Sequence, residues 1–153
     1  MHEHLLQPSL SASAAPAPAL YSTQSSFLVA FLGGPVAIVL YSALNSWRLR
    51  RPVDIVAYLV TLALVVALMV DHDHGGPLFS AFVDYFGAGS DRYLWRLLAL
   101  GAFGAFYLLH RKQHRSTQLF GGKAPSPWIP AIACMVVGYG VTVLLLAAVR
   151  MTA

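Results

Sequence analysis

Four consecutive residues, Asp71-His72-Asp73-His74, form the one arrangement in this chain with metal-ligand chemistry. Imidazole suits zinc, copper and nickel, and carboxylates can complete the coordination shell. If the helix continues through the tetrad, Asp71 and His74 share a face; if the chain unwinds, His72 and His74 share one instead. Either geometry supplies two ligands for a divalent metal, and Asp84, Asp91, His2 and His4 are the further donors expected on the same side. Gly75-Gly76-Pro77 follows, so a solvated polar cluster that ends a helix accounts for the same residues. Two aspartates at a helix C-terminus also face the negative end of its dipole, which calls for a neighbouring cation, either a metal or Arg92 or Arg96.

Other chemistries are poorly served. No stretch carries paired carboxylates, a His-Glu-x-x-His helix or a Ser/His/Asp set near the middle of a span, and Gly33-Gly34 follows no strand that would make it a phosphate loop. The expectation is a protein without enzymatic activity and without a cofactor, apart from a divalent metal at the tetrad. Cys134 is the single cysteine and lies in an apolar run, where it reads as a small packing residue.

The elements that must position the tetrad are membrane helices. The chain is 58% hydrophobic and 10% charged, against roughly 25% charged in an average soluble domain. From Pro52 to Val70 about nineteen residues carry one charge, Asp54, enough to cross a hydrocarbon core at 1.5 Å per residue. Around this organising helix we expect three more spans, giving an all-α, integral membrane four-helix bundle. The spans fall at about 27–47, 52–70, 91–110 and 128–149, within one domain covering 25–150. Residues 1–24, rich in Ser, Ala and Pro, read as a disordered tail; lacking a basic and an apolar region, they do not read as a signal peptide.

Between the second and third spans, Phe79, Phe82, Val83 and Phe86 recur at helical spacing over a segment too short to span, so a short interfacial helix is expected. Gln24, Ser25 and Ser26 are the expected caps of the first span. Gly33-Gly34-Pro35 lies inside that span and predicts a kink at a helix contact. Gly101, Gly104 and Ala105 in the third span, and Gly138 in the fourth, supply further small faces for close helix packing. Asp54 reads as a surface partner of Arg50 that also favours the positive end of its own helix, worth some tenths of a kcal/mol. The third span is followed by Arg111, Lys112, His114 and Arg115, then by a Gly/Pro-rich loop.

One resemblance emerges. Tyr21-Ser22-x-Gln24, Phe31-Leu32-Gly33-Gly34-Pro35 and Asn45 together resemble the opening of a group of small, uncharacterised bacterial multi-span membrane proteins. The resemblance covers mainly the first third of the chain and implies a membrane protein, with no activity to carry over.

The net charge of +4 comes from basic residues beside hydrophobic spans, which is an orientation signal and excludes nucleic acid as a partner. Arg48, Arg50, Arg51, Arg111, Lys112, Arg115 and Lys123 mark the cytoplasmic connections. Both termini are then expected outside, in the inner membrane of a bacterium, with His2 and His4 on the side of the tetrad. Two functions follow as expectations. One is a structural or accessory protein that binds other membrane proteins, or itself, through small-residue helix faces; the other is an outward-facing divalent metal-binding protein. The lipid bilayer is a partner in both.

Overall fold

The computed structural model describes residues 20–119 and 126–152, without the side chains of 112–119 and 152. The described residues form an all-helical bundle. Its elements are α1 (Thr23–Leu49), α2 (Ile55–Asp73, preceded by a 3-10 turn at Pro52–Asp54), α3 (Pro77–Phe86), α4 (Asp91–Leu119) and α5 (Trp128–Thr152). Four of these segments, α1, α2 with its 3-10 turn, α4 and α5, are long and apolar enough to cross a membrane.

The first of them does not run straight. Gly34 interrupts α1 with φ 78° and ψ −172°, a conformation open essentially only to glycine. The chain then reverses. The Tyr21 backbone N–H donates to Asn45 Oδ1 at 3.1 Å, a pair that a straight helix would hold about 36 Å apart at 1.5 Å per residue. Ser25 Oγ lies 2.8 Å from Tyr41 Oη, the Tyr21 and Tyr41 rings are 5.3 Å apart, and the Arg48 guanidinium sits 4.5 Å over the Tyr21 ring. The segment is therefore a hairpin with arms 23–33 and 35–49, each short of the roughly 20 residues a span needs. The kink expected at Gly33-Gly34-Pro35 is a full turn-back. Three neighbouring residues make it: Gly34 takes the positive φ, Pro35 opens the second arm where its missing N–H costs no bond, and Gly33 passes where a Cβ would lie 2.7 Å from Met135 Cγ.

This hairpin, not the helix from Pro52, is the organising element. Half of α1's apolar stretch is buried, against 22% or less for the other three. Both arms pack on α4 and α5. Small and hydroxylated residues explain the choice: Ser25, Ser26, Ala30, Ala37 and Ser42 are buried and let neighbours approach, while α2 turns bulky Ile55, Val56, Leu59 and Val60 outward. The hairpin enters from the end where α5 begins, with Ser22 and Gln24 beside Pro127 and Trp128. Its tip stops part-way along α5, where a Cβ on Gly138 would meet Ala37 Cα at 2.7 Å. Backbone irregularity at such depth is tolerated when it is buried in protein or lines a cavity.

Several sequence expectations change. Residues 20–24 are not tail: Leu20 and Tyr21 are buried, and the cap of α1 is Ser22, whose Oγ accepts the Ser25 N–H at 3.2 Å. Residues 1–19, including His2 and His4, lie outside the described residues. The third helix continues past 110 to Leu119, and the expected loop residues 120–125 lie outside the description. Because α1 doubles back, Leu20 sits at the end of the bundle holding Asn45 and Arg48, whereas α5 ends beside Asp73 at the other. The two described chain ends are thus at opposite ends of the bundle, where the sequence reading had them together. The short helix α3 falls where expected, with Leu78, Tyr85 and Phe86 exposed.

Candidate functional site

Chemistry-bearing side chains gather at both ends of the bundle. At the far end, the members of the Asp71–His74 tetrad turn to partners outside the tetrad rather than to a common centre. Asp71 Oδ2 accepts the Phe79 N–H at 2.7 Å, so it serves as the missing cap of α3, whose own N-cap is Gly76. The His72 ring meets Phe79 edge-on at 4.1 Å and lies 6.4 Å from Trp95. Asp73 Oδ1 receives Arg150 Nε at 3.2 Å, tying the ends of α2 and α5. His74 Nδ1 donates to the Val70 carbonyl at 2.8 Å, satisfying its own helix end. The cation beside the aspartates is therefore Arg150, not Arg92 or Arg96. Among the described residues no three of His, Cys, Asp and Glu converge as a metal shell would require. Asp84 is exposed and Asp91 half-buried, both outside any such group.

The opposite end holds a cluster that the sequence reading missed. Ser46, near the end of the hairpin's second arm, donates its hydroxyl to Asp54 Oδ2 at 2.7 Å. It also lies 2.5 Å from Tyr58 Oη and 3.0 Å from His110 Nε2, and His110 Nε2 is 3.0 Å from the same carboxylate oxygen. Tyr58 Oη donates in turn to the Ser42 carbonyl at 3.0 Å. Asp54 and His110 are each 2% exposed, so Asp54 is not the surface partner of Arg50; it does hold the N-cap position of α2, at the positive helix end, though its side chain makes no capping hydrogen bond. The reason is register. Ser42 and Ser46 are one turn apart on α1, Asp54 and Tyr58 one turn apart at the start of α2, and His110 comes up on the inward face of α4 with Ala99, Ala102 and Phe106. The pattern of four-residue polar pairs at helix ends carried the signal; what joins them is the hairpin.

A Ser, a His and an Asp are thus in contact, but the geometry is no nucleophile relay. In a Ser-His-Asp triad the two imidazole nitrogens address different partners. Here Nε2 faces both Ser46 Oγ and Asp54 Oδ2, and beside a carboxylate it holds its hydrogen as a donor. The Ser46 proton goes to Asp54, not to the imidazole. The arrangement binds three elements of the bundle, α1, the start of α2 and α4, to one another.

The helix-packing residues divide. Gly33 and Gly138 lie in close approach between the hairpin and α5, and Pro35 is buried in the second arm. Gly34 is needed for its backbone conformation, since a Cβ there would meet nothing within 4 Å. Gly101 and Ala105 are exposed, and a Cβ at Gly101 would likewise meet nothing. The small residues that do pack on this helix are Ala99 and Ala102.

Above the hairpin tip lies a cavity of about 470 Å³, walled by α2, α4 and α5. Phe31 to Pro35 form one side, His72 and Trp95 another, and Arg92, Arg96 and Arg150 border it. Comparison of the chain with protein-family models, curated proteins and solved structures finds no match.

Proposed function

We propose that this protein is a structural or accessory component of a bacterial inner membrane, binding a membrane protein or a second copy of itself through the outer face of α4. The observation that carries this reading is one exposed stripe, Leu97, Gly101, Ala105 and Leu108, spaced by four, four and three residues. Between its two leucines, the small residues leave a flat strip that the chain's own helices do not use. Gly-xxx-Ala strips of this kind let a partner helix approach closely enough for backbone contact and dispersion to replace lipid. Gly101→Leu should therefore abolish association, read by cross-linking in native membranes, while the thermal midpoint of the purified protein is unchanged because a Cβ at position 101 would meet nothing among the described residues. Retained cross-links in that variant would end the reading.

The same proposal orients the chain. The bundle end with Arg48, Arg50, Arg51 and Arg111 faces the cytoplasm by the positive-inside bias. The hairpin then enters from the cytoplasmic face, and residue 20 and the end of α5 fall on opposite sides. Single cysteines at the exposed Gln24 and Met151, placed in a Cys134→Ala background, should react with an impermeant thiol reagent from opposite sides. Labelling from one side only would restore the arrangement with four full spans.

A further inference from the structure

We infer that the cavity above the hairpin tip binds an anionic phospholipid of the bilayer, its phosphate on Arg92 and Arg96 and an acyl chain along the apolar wall. Charge supports the headgroup. Three arginines border one cavity at the bundle end opposite the basic loops, against the bias that places arginine on the cytoplasmic side. Only Arg150 has a carboxylate, Asp73; among the described residues neither Arg92 nor Arg96 is paired with one. Arg92 instead leans on Tyr93, its guanidinium 5.0 Å from the ring, and Arg96 lies 5.2 Å over the ring of Phe31 at the hairpin tip. One Arg92 N–H is spent on Tyr93, Nη2 donating to Oη at 3.3 Å; its remaining donors and the fork of Arg96, held on an aromatic face, are left for a phosphate, which guanidinium groups grip by paired hydrogen bonds.

The wall supports the chain. Below the arginines the cavity is lined by Leu32, Met69, Trp95 and Leu146. Its side is open where Leu32 and Tyr139 are 68% and 72% exposed, so an acyl chain can enter sideways from the bilayer. A free phosphate or a soluble carboxylate would use the arginines and leave this apolar surface uncovered. A lipid of the membrane covers both. The inference goes beyond the association reading, since it does not involve Gly101.

Trp95 makes the site readable. The full chain is reconstituted in phosphatidylcholine vesicles doped with phosphatidylglycerol, with bromine on the acyl chains of one lipid or the other. The signal of Trp95 is isolated from Trp47 and Trp128 by difference against Trp95→Phe. Brominated phosphatidylglycerol should quench Trp95 preferentially, and Arg92→Gln/Arg96→Gln should weaken that preference by roughly fivefold for each arginine lost. Dodecyl phosphate should compete and inorganic phosphate should not. Equal quenching by the two lipids overturns the proposal, as does a preference that survives the double substitution. Competition by inorganic phosphate as effective as by dodecyl phosphate overturns it too, in favour of a soluble anion. If the double variant does not fold, Thr142→Phe fills the cavity with every arginine in place, and a preference retained there is equally fatal.

Discussion

The two ends of this bundle are built from the same side-chain types and behave in opposite ways. At one end Ser46, Asp54, Tyr58 and His110 close on a single carboxylate oxygen and one hydroxyl, all at most 5% exposed. At the other, Asp71, His72, Asp73 and His74 turn to partners outside the tetrad and share no centre, and three arginines stand around an open cavity. The difference is the hairpin. Its second arm brings Ser42 and Ser46 down to meet α2 and α4 at one end, and its tip stops short of the other, leaving the space there unfilled. Acidic and imidazole groups are drawn into a shared network only where a third element arrives to exclude water.

That contrast can be broken experimentally. Asp54→Ala should be the most damaging single change, destabilising by about 3–5 kcal/mol in reversible unfolding from mild detergent, because it strands a buried imidazole and a buried hydroxyl. If its cost were no greater than that of Arg150→Ala, the sealed end would not be the stronger one. Gly34→Ala comes next, at roughly 1–3 kcal/mol, since a Cβ must adopt a backbone region reserved for glycine. It should also weaken the contact of Tyr21 with Asn45, seen as faster hydrogen exchange at the Tyr21 amide; exchange as slow as in the parent would argue that the turn-back does not depend on glycine. Gly138→Val adds volume where Ala37 already touches, and an overpacking cost of about 1–3 kcal/mol is expected.

The open end should be tolerant. Arg150→Ala breaks a pair in which the arginine is 63% exposed, so a loss of about 0.2–1 kcal/mol is expected, shrinking with added salt. His72→Ala/His74→Ala sharpens the comparison furthest. With the four tetrad side chains bound elsewhere, zinc content of tag-free protein should be the same in parent and variant. Stoichiometric zinc lost on substitution would instead make the far end a metal centre and revive the metal-binding function.

Much of the frame was readable because it depends on local chemistry. Apolar length marked α2, α4 and α5, the recurring aromatics marked α3, and Gly75-Gly76-Pro77 marked where α2 ends. Hydropathy failed on α1 because a folded-back pair of short helices and one long helix have the same apolar content; what separates them is the φ of Gly34 and the Tyr21-to-Asn45 bond. The residues Tyr21, Ser22, Gly33, Gly34, Pro35 and Asn45, which stood out as a motif, turn out to be the base, cap and tip of that one unit. The site was less legible than the fold. Asp71-His72-Asp73-His74 stood out by adjacency, yet adjacent residues on a helix point to different sides, and they found partners outside the tetrad. Ser46, Asp54 and His110 were scattered across three helices; the pairs Ser42/Ser46 and Asp54/Tyr58 marked polar helix faces, but nothing local said that those faces meet.

By itself, then, the sequence determined helix content, membrane character and the stop of α2 at Gly75-Gly76-Pro77, since these follow from each segment's own hydrogen bonding and transfer from water. The reversal at Gly34, the burial of Asp54 against His110, the scattering of the tetrad and the cavity under Arg92 and Arg96 were decided only when the helices packed. Each depends on which faces meet, and a pairwise contact between distant segments leaves no trace in the residues on either side of it.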